Sequence, residues 1–403
     1  MNPEHKKYIL ENIDNKSIKK IAGELNLKER KIKRYIKQCR EKRNYIDPAK
    51  GLKHPVSKKG LFLFLILIIV LGFIAYGNSL NGQFLWDDNY FIKDNIYVQG
   101  WSHIINIFTE DVGAGAGATY YFYRPLQIFS YVIDYSFWKL NPAGYHITNI
   151  LLHILTALCV YWLISVLFNN TSISFFTSIL FLVHPIHTEA VTYISGRGDS
   201  LTAIFMLLCL IFYIKHSQIK FTKPAPSNNN IIYFLVLSTY ILAVLSKENS
   251  VILPALILLY HYTFKKKINI KAFAPILIIT SIYIVFKVMV LKSALAQSTQ
   301  KASLSIMLQR FPGFFVSITN YIKLLFLPLG LHADYGSKMF AFSNPKAIIG
   351  IGILLFLLLF ALRKRDSNKL AFFAISWFFI ALLPTTNIHS FGFELAFYMA
   401  EHW

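Results

Sequence analysis

The chain has 403 residues, of which 55% are hydrophobic and 16% aromatic, and its mean hydropathy is +0.46. A soluble domain rarely has more than about half apolar residues, whereas runs such as residues 61–74 here contain no charge at all. This composition excludes a soluble enzyme built on one large core. It predicts an all-α polytopic membrane protein, because each helical crossing of a bilayer needs roughly 20 predominantly apolar residues.

The net charge of +21 would suit a nucleic-acid-binding protein, but its distribution argues otherwise. Residues 1–60 contain eighteen Lys and Arg against seven Asp and Glu, and further basic clusters occupy residues 265–267 and 363–365. Short basic loops are typical of the cytoplasmic side of a membrane protein. The charge therefore predicts a cytoplasmic N-terminus and disfavours nucleic acid as a partner.

Residues 1–47 are predicted to form a separate basic cytoplasmic head. Apolar residues from Ile18 to Leu25 recur at helical spacing, and a turn at Asn26 precedes a second, basic helix. This shape resembles a helix-turn-helix. Contact with anionic lipid head groups is the favoured interpretation, with protein and nucleic-acid partners as alternatives. Residues 48–60 contain two prolines and two glycines and are predicted to be a linker.

The membrane core is predicted to occupy residues 61–403. Its first span, residues 61–77, is followed by a long first outer loop, residues 78–145. Aromatic residues around 101–108 and 126–138 predict helices that lie on the membrane surface. Residues 146–403 hold the remaining spans, about ten in all with the first, near residues 147–168, 173–193, 200–215, 231–247, 250–264, 272–291, 312–331, 346–362 and 369–386.

One predicted span conflicts with the charge rule. If residues 312–331 cross the membrane, the basic segment 363–369 lies outside, where basic loops are disfavoured. Pro312 and Pro328 would allow a broken or re-entrant helix, and a miscounted span is the other explanation. We expect the basic segment to lie inside, and the topology of residues 312–346 stays open.

Ionisable residues at membrane boundaries are costly and therefore mark candidate sites. Asp87 and Asp88 lie about ten residues beyond the first span. Such a pair serves as a general base or binds a divalent cation, Mg²⁺ or Mn²⁺, and close carboxylates raise one of the two pKa values, which suits a base. Arg124, set among aromatic residues, suits a phosphate oxygen; an arginine that merely extends to the interface is the alternative.

The densest polar stretch runs from residue 184 to residue 199. His184, His187 and Glu189 do not have the spacing of a known zinc motif, so hydrogen bonding to a substrate is favoured over metal binding. Arg197 and Asp199 either pair with each other, or one of them faces the substrate.

Further polar clusters lie at other predicted span ends. Lys247 and Glu248 separate two apolar runs, and an interfacial salt bridge is the simpler interpretation of this pair. His332 with Asp334 and residues 384–389 form the last two clusters. No residue is assigned as a metal ligand.

These clusters, in this order, resemble the transmembrane part of the O-mannosyltransferases that carry tetratricopeptide repeats, and their bacterial relatives, within the GT-C glycosyltransferase superfamily. The resemblance covers roughly residues 72–403, and residues 184–199 are its most specific part. The matching stretches are Trp86-Asp-Asp88 with Asn95 and Trp101, Tyr123-Arg-Pro-Leu126, Asn141-Pro-Ala-Gly-Tyr-His146 with Asn149 and His153, His184 to Asp199, Ser246-Lys-Glu248, Leu327 to Tyr335, and Leu383 to Asn387.

The resemblance implies a GT-C-like helical bundle that takes a sugar, mannose being favoured, from a polyprenyl- or dolichyl-phosphate donor. The acceptor would be a hydroxyl of a protein or a glycan, on the extracytoplasmic face. A single inverting displacement needs a base for this hydroxyl and cations for the leaving phosphate. We expect Asp87 or Asp88 to be the catalytic base, and Arg124, Arg197 and Lys247 to bind the donor phosphate. The expected substrate-binding residues are His184, His187, Glu189, Asp199 and Glu248.

Two departures from the family pattern qualify the resemblance. The basic head is not part of that pattern, and no tetratricopeptide repeats occur in the 403 residues, so we expect the chain to lack C-terminal repeats. A bacterial inner membrane is the favoured location. The alternative functions are a transporter of lipid-linked sugar intermediates, which predicts charged residues near mid-span and internal repeats, and a non-catalytic membrane regulator with a helix-turn-helix head.

Overall fold

The computed structural model describes residues 58–120, 122–219, 229–295, 304–332 and 338–383, together with Tyr335 and parts of residues 5–35. This part of the chain is helical and contains no β-strand, which confirms the predicted all-α fold. In chain order the helices are α1 (Ile18–Glu24), α2 (Lys58–Tyr76), α3 (Ile104–Thr109), α4 (Pro125–Trp138), α5 (Pro142–Phe168), α6 (Thr171–Val183), α7 (Thr188–Thr192), α8 (Arg197–Ile219), α9 (Asn229–Ser246), α10 (Leu253–Phe264), α11 (Ile270–Leu295), α12 (Leu304–Phe326), α13 (Pro345–Lys364) and α14 (Lys369–Leu382).

The chain is a multi-pass membrane protein. Two apolar helices of the described chain, α6 and α14, are shorter than a typical span, and α10 has twelve residues. The predicted total of about ten spans is not confirmed. Among the residues that the structure describes, six segments are long and apolar enough to cross a membrane: Lys59–Asn81, Pro142–Phe168, Ile194–Gln218, Asn229–Ser246, Ile270–Lys287 and Pro345–Lys364.

Short polar signals set the ends of these helices. The predicted span 173–193 is divided into α6 and the short α7, because Pro185 has no backbone N–H and drives His184 out of the helical region, to ψ 125. Four helices begin at an asparagine whose side chain accepts a hydrogen bond from a backbone N–H two or three residues later. They are α5, α6, α13 and α14, capped by Asn141, Asn170, Asn344 and Asn368.

One end of the bundle, which we call the loop end, carries the long segment between α2 and α5. The Tyr76 hydroxyl donates to the carbonyl oxygen of His184 at 3.4 Å and so joins the ends of α2 and α6 there. Within the segment, α3 and α4 form where two helices were predicted, and their position on the membrane surface stays a prediction. The segment has its own buried core, formed by Phe91, Ile92, Val98, Ile107, Val112, Ile128, Tyr131 and Val132 together with Tyr145 and Ile194.

The opposite end, which we call the basic end, brings two basic loops together. Lys265 Nζ lies 2.6 Å from Asp366 Oδ1 and joins the loop after α10 to the loop after α13. The guanidinium of Arg365 lies 4.1 Å from the ring centre of Tyr262 on α10. The two loops that the charge rule assigns to one side of the membrane therefore meet at one end of the structure.

Helix α12 covers most of the predicted span at 312–331. Its Leu325 carbonyl oxygen lies 3.2 Å from His184 Nε2, and the Thr319 hydroxyl donates to the carbonyl oxygen of Lys346 at 2.7 Å. Both contacts lie at the loop end, because His184 and the start of α13 are there. The helix is amphipathic and is not among the six candidate spans. The C-terminal half of α12 therefore lies at the loop end, where α13 begins, and the span predicted at 312–331 is not confirmed.

The head is described only in part. Ile9, Ile21, Ala22 and Ile32 are buried in a small core of their own, and Asn26 adopts a left-handed φ of 50 in the turn after α1. A turn is thus found at the predicted position. Most of the predicted linker lies outside the described residues.

Candidate active site

Asp88 is buried, with 1% of its surface exposed, and is held by the turn that precedes α8. Its Oδ1 accepts hydrogen bonds from the backbone N–H and the hydroxyl of Ser195, at 2.8 and 2.5 Å, and its Oδ2 accepts one from the backbone N–H of Leu85 at 3.0 Å. Burial raises the pKa of Asp88 to about 6; the hydrogen bonds offset this in part, and the charge of Asp87 adds to it. Asp88 therefore fixes the first loop to α8.

Asp87 is the accessible member of the pair. It is half-buried, and its backbone N–H donates to the Tyr193 hydroxyl at 3.1 Å. Trp86 has a φ of 44, which is rare for a bulky residue, and its ring meets that of Tyr193 edge-on at 5.8 Å between centroids. These two rings belong to a cavity of about 220 Å³, lined by Leu85, Trp86, Thr188, Glu189, Thr192, Tyr193, Leu331 and His332.

Arg124 and Glu248 form a two-point ion pair between the first loop and the turn after α9. Arg124 Nε lies 3.0 Å from Glu248 Oε2, and Nη2 lies 2.6 Å from Oε1. Burial alone would raise the pKa of Glu248, but the guanidinium outweighs it and lowers the pKa. Nη1 of Arg124 makes no hydrogen bond to any described residue, so this edge can donate to an added anion such as a phosphate oxygen.

Lys247 pairs with Asp199 in the first turn of α8, at 2.5 Å between Nζ and Oδ1. The open question of Asp199 is thereby answered, since its partner is Lys247 and not Arg197. Asp199 follows Ser195, the partner of Asp88, by four residues, about one helical turn. The carboxylate pair and the ion-paired cations therefore meet at the same end of α8.

Arg197 is enclosed completely, with 0% of its surface exposed. Its Nη2 lies 2.5 Å from Asp134 Oδ2, its Nε donates to Asn149 Oδ1 at 2.7 Å, and its guanidinium lies 4.6 Å from the ring centre of Tyr131. Burial raises the pKa of Asp134, and Arg197 offsets this in part. An arginine without exposed surface cannot reach a lipid phosphate. We correct its predicted role: Arg197 joins α8 to α4 and α5.

The histidines form a packed layer beside the cavity. His184 Nδ1 accepts from the backbone N–H of Ile186 at 3.2 Å, while its Nε2 contacts the Leu325 carbonyl. Burial and, to a smaller extent, the neighbouring His153 and His184 lower the pKa of His187 to about 3, so this imidazole is neutral. Of the substrate-binding residues predicted around this turn, Glu189 lines the cavity, whereas His184 and His187 pack behind it.

Two residues of α11, Lys287 and Tyr283, lie near the Arg124–Glu248 pair and were not predicted from the sequence. The positive charge of Lys287 also lowers the pKa of Glu248, by less than the charge of Arg124 does. Tyr283 is 6% exposed, and its hydroxyl has no hydrogen-bond partner among the described residues. Phe286, between them, packs edge-on against Tyr123 at 5.0 Å between ring centroids. The sequence signal for a site here was Lys287, a lysine at the end of the long apolar segment Ile270–Lys287.

Metal binding has no geometric support in the described part of the chain, where no group of three or more His, Cys, Asp or Glu is arranged to hold an ion. The predicted clusters at Asp334 and at residues 384–389 lie outside the described residues.

No protein family model and no solved structure match the chain, but curated relatives do. The chain is 34% identical over 190 residues to Protein O-mannosyl-transferase F38B6.6 of Caenorhabditis elegans, a match that covers 46% of this chain and 26% of that protein. The human Protein O-mannosyl-transferase TMTC1 is 32% identical over 194 residues, 46% of this chain and 22% of its own. The Xenopus laevis Protein O-mannosyl-transferase tmtc2 is 37% identical over 160 residues, 38% and 18% respectively.

Nearly half of this chain is homologous to the TMTC O-mannosyl-transferases. The resemblance predicted from the motifs is thereby confirmed. The matched region spans only about a quarter, or less, of the length of these relatives.

Proposed function

We propose that this chain is a membrane glycosyltransferase that moves a sugar, with mannose favoured, from a polyprenyl- or dolichyl-phosphate donor to a protein hydroxyl. The observation that carries the proposal is the arrangement around the start of α8. Asp87 is half-buried and follows Trp86, which lines an open cavity, and the ion-paired cations Arg124 and Lys247 lie at the same end of α8. The names of the relatives support the same reaction class.

The proposed mechanism is a single displacement. Asp87 accepts the proton of the acceptor hydroxyl while the oxygen of that hydroxyl forms a bond to the anomeric carbon. The bond from that carbon to the phosphate oxygen breaks, and the electron pair leaves with the lipid phosphate. Arg124 and Lys247 stabilise the charge on this leaving group. The sugar is delivered with inversion because one displacement occurs at one carbon.

Asp87 is the proposed base, and Asp88 its support. Asp88 has both carboxylate oxygens engaged by backbone and Ser195 donors and is buried, so its protons are not exchanged with a substrate. Asp87 is half-buried, and its backbone N–H donates to the Tyr193 hydroxyl. The cavity next to it, with Trp86 and Glu189 in its walls, is the proposed place of the acceptor.

The reaction is proposed to occur on the extracytoplasmic face. The loop end carries the candidate site, and the opposite end carries the two basic loops joined through Lys265 and Asp366. Basic loops favour the cytoplasm, which leaves the loop end outside and the N-terminus inside. A bacterial inner membrane remains the proposed location.

The proposal is tested by reconstituting the full chain in lipid nanodiscs with polyprenyl-phosphate mannose and a peptide that carries a single serine or threonine hydroxyl. We expect a mannosylated peptide whose anomeric configuration is opposite to that of the donor, as read by NMR. Retention of configuration would contradict the single displacement. Absence of transfer to this peptide, to a glycan acceptor and to water would contradict the function.

A further inference from the structure

One face of α11 is turned toward the ion pairs. Thr280, Tyr283 and Lys287 lie at positions i, i+3 and i+7 and therefore share this face. The Thr280 and Tyr240 hydroxyls are 2.5 Å apart, which anchors the face against α9. Phe286 on the neighbouring position of α11 packs against Tyr123, the residue before Arg124, at 5.0 Å between ring centroids, and the charge of Glu248 acts on both Tyr283 and Lys287. The face therefore ends beside the Arg124–Glu248 pair.

Several polar groups converge here without a partner. The Tyr283 hydroxyl is buried and makes no hydrogen bond to a described residue, and Nη1 of Arg124 is equally unused. Lys287 makes no ion pair or hydrogen bond within the described part of the chain. A buried hydroxyl without a partner is costly, so a ligand that accepts its hydrogen bond would be stabilised at this place.

The charges of this cluster do not balance. Three cations, Arg124, Lys247 and Lys287, face two carboxylates, Glu248 and Asp199. The excess of one positive charge lies in a largely buried environment, where an anion is attracted more strongly than in water. A phosphodiester carries one negative charge, and the monoester released from it carries close to two near neutral pH.

The geometry points to an anion subsite on α11, in which Lys287 and Tyr283 bind the phosphate of a lipid-linked sugar donor beside Nη1 of Arg124. This inference rests on the proposed function and adds two residues to it. Because the negative charge grows as the sugar leaves, Lys287 interacts more strongly with the departing monoester than with the intact donor. The subsite therefore lowers the barrier as well as the KM for the donor.

The test uses the full chain in zwitterionic nanodiscs, with polyprenyl monophosphate as the probe and neutral polyprenol as its control. Lys287→Met is expected to weaken the Kd for the monophosphate about tenfold or more, since a hydrogen-bonded charge is lost. Lys287→Arg should restore most of the binding. Lys271→Met, exposed at the other end of the same helix, is the matched control and should leave the Kd unchanged.

Tyr283→Phe removes only the hydroxyl and should weaken the same Kd several-fold without lowering the Tm of the unliganded protein. If Lys287→Met and Tyr283→Phe both bind the monophosphate as the wild type does, the subsite is refuted. If the wild type binds the monophosphate through Lys287 but transfers no sugar, the subsite stands and the proposed function fails. If sugar transfer occurs and neither variant changes the KM or kcat, the proposed function stands and the subsite fails.

Discussion

The hydrogen bond between Ser195 and Asp88 offers a quantitative test of how the first loop is held. Ser195→Ala removes the hydroxyl that donates to Asp88 Oδ1 at 2.5 Å but keeps the backbone N–H, which donates to the same oxygen at 2.8 Å. A hydrogen bond to a charged group contributes about 1.5–3 kcal/mol. The free energy of unfolding at pH 8 should therefore fall by about that amount, because the carboxylate is ionised and buried there.

The effect should depend on pH in a defined direction. Burial places the pKa of Asp88 at about 6 in the folded protein, above its ordinary value of 3.8. Folding then takes up a proton between these values, so stability rises as the pH falls through about 6. The hydroxyl lowers this pKa, and its removal raises it further. The loss of stability in Ser195→Ala is thus largest at pH 8 and shrinks toward pH 5, where Asp88 is neutral in both proteins.

Thermal unfolding of the purified full chain in detergent, followed by tryptophan fluorescence at pH 5, 6.5 and 8, measures this dependence. Ser343→Ala, at an exposed serine before α13, is the matched control and should have the wild-type Tm at each pH. If Ser195→Ala lowers the Tm equally at pH 5 and pH 8, Asp88 is not an ionised carboxylate that accepts a hydrogen bond from this hydroxyl at pH 8. A wild-type Tm of Ser195→Ala at pH 8 would contradict the same interaction.

Two further predictions concern the buried ion pair and the topology. Asp134→Asn leaves the fully buried Arg197 without its counter-ion and should lower the free energy of unfolding by about 3–5 kcal/mol. Asp366→Asn breaks an exposed pair and should leave the Tm unchanged. Equal Tm values for the two variants would contradict this expectation. We propose that α12 does not cross the membrane. In cells, Ser343→Cys should then react with an impermeant maleimide from the same side as Gln99→Cys and opposite to Lys267→Cys. Labelling of Ser343→Cys from the side of Lys267→Cys would restore the span at 312–331.

Apolar runs and charged boundaries were readable from the sequence because they depend on local composition. The six long apolar segments coincide with predicted spans, and the break at His184 and Pro185 ends a helix for a local reason. A span was predicted at 312–331 because a run that contains Phe314, Val316 and Ile318 is apolar enough to suggest one. The amphipathic character of α12 is a property of its sequence, but its packing on α13 became evident only in three dimensions.

The partners of the charged residues could not be derived from sequence. Arg197 is two residues from Asp199 but pairs with Asp134 on α4, and Lys247 is adjacent to Glu248 but pairs with Asp199. These pairs are set by how helices distant in sequence pack. Lys287 escaped notice for the same reason, because only the packing of α11 brings it to Glu248.

The central claim is that the Asp87 carboxylate removes the proton from the acceptor hydroxyl. The most direct test is the turnover of polyprenyl-phosphate mannose with saturating peptide by the wild type, Asp87→Asn and Asp94→Asn, the last being an exposed carboxylate of the same loop. The account predicts that Asp87→Asn lowers kcat by about 10²–10⁴-fold without weakening the binding of polyprenyl monophosphate, while Asp94→Asn turns over as the wild type does. Wild-type turnover by Asp87→Asn would contradict it.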